Sequence, residues 1–279
     1  MRIRAIAIAT MLLVALGVTP SQATSLSAEA LLERLTVASE SNSSSYNRDL
    51  FRHWIDSDKD SCNTREEVLI QESISPTKRG SGCKILSGKW LSQYEKKTFT
   101  SASKLDIDHM VPLKEAWESG AFGWTAKRRE SFANDLGFQG SLIAVSASTN
   151  RSKSDKDPQA WLPSNSSYKC TYVVTWMQVK YRWALTIDKS EKAAISSVLA
   201  NCPTSKLFNL PKQMIKKPVL PSQVQPEEPA ATTPIETQPD PRFDNCSEAI
   251  ASGYGRYVRG VDPEYDWYRD GDGDGVACE

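Results

Sequence analysis

Histidine is scarce in this chain: His53 and His109 are the only two among 279 residues. No two of the six cysteines stand in a Cys-x-x-Cys pair. These shortages argue against a zinc knuckle, which needs four Cys or His ligands grouped at short spacing. Neither histidine sits beside a recognisable serine or cysteine nucleophile, which leaves a serine or cysteine hydrolase as the weakest reading. Long apolar runs are also missing. The one candidate, residues 5–18, is too short to span a bilayer comfortably, and no cysteine follows it to carry a lipid anchor.

That run follows Met1-Arg2-Ile3-Arg4 and precedes Pro20-Ser21-Gln22-Ala23. A charged start, a short greasy core and a small-x-small site read as a secretory signal peptide over residues 1–23, cut after Ala23. A soluble, secreted protein is expected, with no transmembrane segment once the signal is removed. Export makes disulfides the natural fate of the six cysteines. Proximity favours Cys62–Cys83, Cys170–Cys202 and Cys246–Cys278. The second pair also has a geometric reason: Cys170 opens one expected helix and Cys202 closes the next, and antiparallel helices bring such ends together.

The formal net charge of zero conceals a strong polarity. Residues 76–217 carry 23 Lys/Arg against 11 Asp/Glu, whereas residues 221–279 carry 4 against 13. A basic middle suits a polyanion, although a solvated Lys-rich surface would look the same. Straddling the junction of these regions, residues 211–241 hold eight prolines among Gln, Thr and Glu. Such a segment cannot bury a core and reads as an extended linker.

The most informative stretch is Asp106-Ile107-Asp108-His109-Met110-Val111-Pro112-Leu113, together with Asn150-Arg151-Ser152-Lys153. Asp108 and Asn150 offer hard oxygen ligands for a divalent metal, His109 a titratable imidazole to deprotonate water, and Lys153 a positive charge for phosphate. Residues 104–109 and 141–146 are expected as the two strands of a hairpin. Ser148-Thr149 would cap a helix that opens near Asn150 and presents its amides to an anion.

These motifs, with Phe132-Ala133-Asn134-Asp135 and Leu142-Ile143-Ala144-Val145 in the same order, resemble the HNH (His-Me finger) endonucleases. The similarity covers residues 46–202 and is greatest to the secreted bacterial branch, whose domain recurs in modification-dependent restriction enzymes. It implies an α+β fold, a mostly helical domain built around a ββα-metal finger, with Mg2+ or Mn2+ (Zn2+ being possible) on Asp108 and Asn150. It also implies a nucleic-acid substrate, DNA rather than RNA. The last His of the family name is Asn150 here. The middle Asn, which steadies the base, has no counterpart in residues 137–142, and Asn134 is its candidate replacement. Arg65, Arg128 and Arg151 are candidate substrate contacts. That missing Asn also sustains the competing reading, a catalytically silent scaffold acting as a calcium-dependent cell-surface or envelope binding protein.

Two acidic stretches raise calcium. Asp56, Asp58, Asp60 and Glu67 stand at positions 1, 3, 5 and 12 of an EF-hand loop. Ser61 occupies the place of the turn-making Gly, so the alternative is an acidic loop pinned by Cys62 and running into a helix at Thr64. In the tail, Asp270, Asp272 and Asp274 alternate with glycines before Val276, Cys278 and Glu279. This ending resembles the Excalibur calcium-binding module, with Asn245-Cys246 at its start. The resemblance makes Asp270, Asp272, Asp274, Val276 and Glu279 the expected calcium residues. The resulting organisation is a signal at 1–23, a nuclease domain at 24–210, a Pro-rich linker at 211–241 and a calcium module at 242–279.

Overall fold

Alternation of side chains along one buried hairpin organises the first unit of this computed structural model. The structure describes residues 25–203, 208–215, 217–220, 242–251, 257–258, 263–269 and 276–278. In chain order, β1 (Ser25–Leu26) leads into α1 (Ala28–Arg34), and α2 spans Thr64–Glu72. Strands β2 (Lys78–Arg79), β3 (Ile85–Ser92), β4 (Lys97–Ser101) and β5 (Leu105–His109) follow. Then come α3 (Leu113–Glu118), α4 (Ala126–Ala133), β6 (Leu142–Ser146) and α5 (Ala147–Lys153). The unit ends with α6 (Lys169–Trp183), α7 (Lys189–Leu199) and β7 (Phe208–Asn209). The fold is α+β.

β5 and β6 pair antiparallel, from Leu105 opposite Ser146 to His109 opposite Leu142. Every residue of β6 is buried. The two faces of the hairpin enter different cores, as the period of two requires. Leu105, Ile107, Leu142 and Ala144 pack with Val68 and Leu69 of α2 and with Ile85 and Trp90 of β3. Ile143 and Val145 face the larger helical core around Tyr172, Trp176, Met177 and Trp183 of α6. Asp106 and Asp108 pair across from Val145 and Ile143, so they share the helical side. α6 is buried well beyond a single stripe, which is how a central helix behaves. α7 opens with a full capping box formed by Asp188 and Glu191.

Several expected boundaries move. Gly88 lies within β3 at a register irregularity between Ser87 and Trp90, and the hairpin to β4 turns after Ser92, where Lys96 takes φ 56°. Gly88 thus marks a bulge and not a turn. His53 lies outside any helix. α5 begins at Ala147, with Ser146 Oγ accepting from Thr149 N–H at 3.3 Å, so Asn150 lies further inside the helix than the sequence suggested.

The first part of the expected linker is packed. Met214 N–H donates to the Arg182 carbonyl at 2.7 Å, Arg182 Nη1 donates to the Lys212 carbonyl at 2.6 Å, and Ile215 and Val219 rest on the helical core. The acidic loop makes its turn despite lacking Gly: Ser61 adopts φ 76° and its N–H donates to Asp56 Oδ2 at 3.0 Å.

The cysteines pair 62–83, 170–202 and 246–278. Contacts divide the chain into two units, Met1–Val224 and Gln225–Glu279. In the second, α8 (Cys246–Ala251) and an antiparallel pair, β8 (Tyr257–Val258) and β9 (Val276–Ala277), surround a small core of Tyr257, Tyr265 and Ala277. Val276 lies on β9; Asp270, Asp272, Asp274 and Glu279 fall outside the described residues, as does the expected signal peptide. No described helix is long and apolar enough to cross a membrane.

Candidate active site

A cleft of about 410 Å³ opens at the end of the β5–β6 hairpin. Its lining includes Tyr46, Arg48, Asp108, His109, Lys114, Asn150, Arg151 and Asp155. The strand brings Asp108 and His109 to its floor, and α5 sets Asn150 and Arg151 on its side.

Asp108 is 5% exposed and heavily engaged. Tyr94 donates its hydroxyl to Oδ2 at 2.5 Å, while Lys153 Nζ donates to Oδ1 at 3.0 Å and lies 2.9 Å from Oδ2. Lys153 also donates to the His109 carbonyl at 3.0 Å and is 0% exposed. Burial pushes the Asp108 carboxyl up and the Lys153 ammonium down, and each charge opposes the shift of the other. Lys153 therefore does not face the cleft. The phosphate-neutralising role expected of it is corrected to that of a buried counter-ion for Asp108, because its ammonium is spent on Asp108 and a backbone carbonyl.

His109 is buried between aromatic rings, with Trp54 at 5.6 Å and Phe132 at 6.4 Å between centroids. Its Nε2 lies 2.9 Å from the Ala133 carbonyl. A carbonyl can only accept, so Nε2 carries the proton and Nδ1 holds the free lone pair. Burial lowers the imidazole to about 3, outweighing the Ala133 hydrogen bond, which raises it; Arg48, His53 and Lys153 add to the lowering. The ring is neutral at physiological pH.

A backbone carbonyl, and not the Asn134 side chain, contacts the His109 ring. Asn134 Oδ1 accepts from Ile55 N–H at 3.2 Å and from Thr64 Oγ1 at 2.8 Å, and its Nδ2 donates to the Arg52 and Glu130 carbonyls. It ties the end of α4 to the 52–55 segment, next to the carbonyl that does touch His109.

The expected arginines separate. Arg151 is exposed in the cleft. Arg65 instead donates from Nη2 to the Ala102 and Leu105 carbonyls at 3.2 and 2.9 Å, turning that end of its guanidinium to the scaffold. Arg128 is exposed on α4 and does not line the cleft. Sequence reasoning missed Arg48, which lines the cleft and forms no ion pair among the described residues, and Lys114, which pairs with Asp155 at 3.1 Å. It also gave no role to Tyr94 or Asp106. The period of two from Asp108 flags Asp106; nothing in the sequence flags Tyr94.

The donor set fits a hard cation. A carboxylate has about four lone-pair positions. Hydrogen bonds take one position on each oxygen of Asp108, from Lys153 on Oδ1 and from Tyr94 on Oδ2, so lone pairs remain for a cation. Asn150 donates through Nδ2 to Asp106 Oδ2 at 3.3 Å, and its Oδ1 accepts no hydrogen bond from the described residues. Two neutralised or neutral oxygen donors beside a cleft suit Mg2+ or Mn2+ better than a soft metal.

Residues 60–198 match the family model for the C-terminal domain of GmrSD restriction endonucleases, and residues 243–279 match the Excalibur calcium-binding domain. An "Uncharacterized secreted protein" from Arthroderma benhamiae is 45% identical over 175 residues, covering 63% of this chain and 84% of that protein. No solved structure matches the chain.

Proposed function

This chain belongs to the family of GmrSD restriction endonuclease C-terminal domains, and from that premise we propose that it is a secreted, metal-dependent endonuclease with a calcium-binding appendage. Asp108 and Asn150 would hold one divalent ion, which would supply charge neutralisation for the phosphate and the departing 3′ oxygen. His109 is the general base: Nδ1 takes the proton of the attacking water while Ala133 keeps the ring in the correct tautomer. Lys153 and Tyr94 hold Asp108 in one orientation. Arg48 and Arg151 grip the nucleic-acid backbone at the rim. The nuclease domain, a Pro-rich linker and the Excalibur module follow one another, and Asp270, Asp272, Asp274, Val276 and Glu279 serve Ca2+ in the last.

The observation that carries this reading is the tautomer of His109. An imidazole whose protonated nitrogen is engaged and whose other nitrogen is bare, next to Asp108 in a cleft, has a lone pair placed to accept a proton, while the burial that keeps the ring neutral weakens it as a base. Plasmid cleavage by oxidised residues 24–279, with EDTA or with Mg2+, Mn2+, Zn2+ or Ca2+, tests it beside His109→Ala. Metal-dependent nicking that disappears in the variant is expected. Inertness of the wild type on both DNA and RNA would hand the argument to the silent-scaffold reading.

A further inference from the structure

We propose that Asp106 is a positioning residue, fixing the carboxamide of Asn150 so that its oxygen, and not its amino group, is delivered to the cation. This deepens the proposed function and rests on its metal site. Asp106 and Asp108 lie two residues apart on one face of β5, opposite Val145 and Ile143. α5 packs on that strand and places Asn150 Nδ2 3.3 Å from Asp106 Oδ2.

The chemistry of the pair dictates its orientation. A carboxylate has no proton to give, so the end of the amide facing Asp106 must be the NH2. The far end is then the carbonyl oxygen, with its lone pairs unclaimed by any described residue. The two ends of a carboxamide are nearly identical in shape, so packing alone distinguishes them poorly. Flipped, Asn150 would turn two N–H donors towards a cation and could not bind it. Asp106 does not line the cleft, so it acts through Asn150 and not on the substrate. It stands to Asn150 as Lys153 and Tyr94 stand to Asp108: each oxygen ligand is set by a partner behind it.

The test titrates the full secreted chain, residues 24–279, with Mn2+ and follows broadening of the amide resonances of Ala147–Lys153. The Asp108→Ala variant serves as the blank for Mn2+ bound elsewhere. Asp106→Leu, matched in size but unable to accept, should raise the Mn2+ concentration at half-broadening about 10–100-fold. Asp106→Asn can accept or donate, so it no longer dictates which end of Asn150 faces the cation and should fall between wild type and Asp106→Leu. If Asp106→Leu fails to fold, Asp106→Ala takes its place with the same expectation. An unchanged midpoint in Asp106→Leu overturns the inference. So does an Asp106→Asn variant as tight as wild type, since a residue able to donate would then orient Asn150 equally well. Wild-type broadening no greater than the blank overturns the metal reading, and the inference falls with it.

Discussion

Replacing Lys153 with Met removes a charge that the fold has sealed from water while nearly preserving the length of the chain. Lys153 is 0% exposed, donates to Asp108 Oδ1 and to the His109 carbonyl, and lies 2.9 Å from Asp108 Oδ2. The variant strands a carboxylate that is itself 5% exposed and leaves a backbone carbonyl without its donor. Breaking a buried pair from one side costs about 3–5 kcal/mol. Tyr94 still donates to Oδ2, which places the expectation near the lower end, about 3 kcal/mol.

With a urea slope of roughly 2 kcal/mol/M for a domain of this size, the midpoint should fall by about 1.5 M. Tryptophan fluorescence in EDTA reads it directly, since seven of the eight tryptophans lie between Trp54 and Trp183. Adding Asp108→Leu should recover most of the loss, because a buried pair replaced by apolar side chains is close to neutral. The deficit should also shrink on acidification. Burial already raises the folded-state pKa of Asp108, and losing Lys153 raises it further. As pH falls through that raised value, the folded variant protonates before the unfolded chain does and gains stability. A midpoint shift under about 0.3 M, a double variant no better than the single one, or a deficit that grows in acid would refute the buried-pair argument.

Arg48→Ala and Arg151→Ala should each weaken nucleic-acid binding and lower the slope of log affinity against log salt by about 1, measured by anisotropy in a His109→Ala background. Glu72, pushed up to about 7 by burial against a single hydrogen bond from Ala144 N–H, is a carboxyl that costs stability when ionised. Wild type should therefore gain stability as pH falls from above 7 towards 4.5. Glu72→Gln should be more stable at pH ~9 by on the order of 2 kcal/mol, with no difference near pH ~4.5, as urea midpoints at the two pH values will show. Opening the 32-residue span between Cys170 and Cys202 with paired Ala substitutions should cost about 3–4 kcal/mol in thermal or urea unfolding.

Legibility in the sequence tracked how local each signal was. The β5 and β6 strands and the three disulfide pairs were readable because short strand-like runs and short cysteine separations are properties of neighbouring residues. Asp108, His109 and Asn150 were readable because their spacing matches a motif. Ser61 misled, since a non-glycine residue adopted the left-handed turn with an aspartate to receive its N–H.

The roles were what composition and spacing left open. Lys153 and Arg65 carry the charge that phosphate contacts need, yet both point into the protein, while Arg48, outside the matched segment, lines the cleft. Sequence by itself determined that a carboxylate, an imidazole and a carboxamide would be offered on a hairpin and a following helix. Only the tertiary structure decided which cations face solvent, that Ala133 selects the bare nitrogen of His109, and that Tyr94 hydrogen-bonds Asp108 while Asp106 hydrogen-bonds Asn150. The reason is physical: charge and hydrogen-bonding capacity belong to a residue, but desolvation and direction belong to what surrounds it.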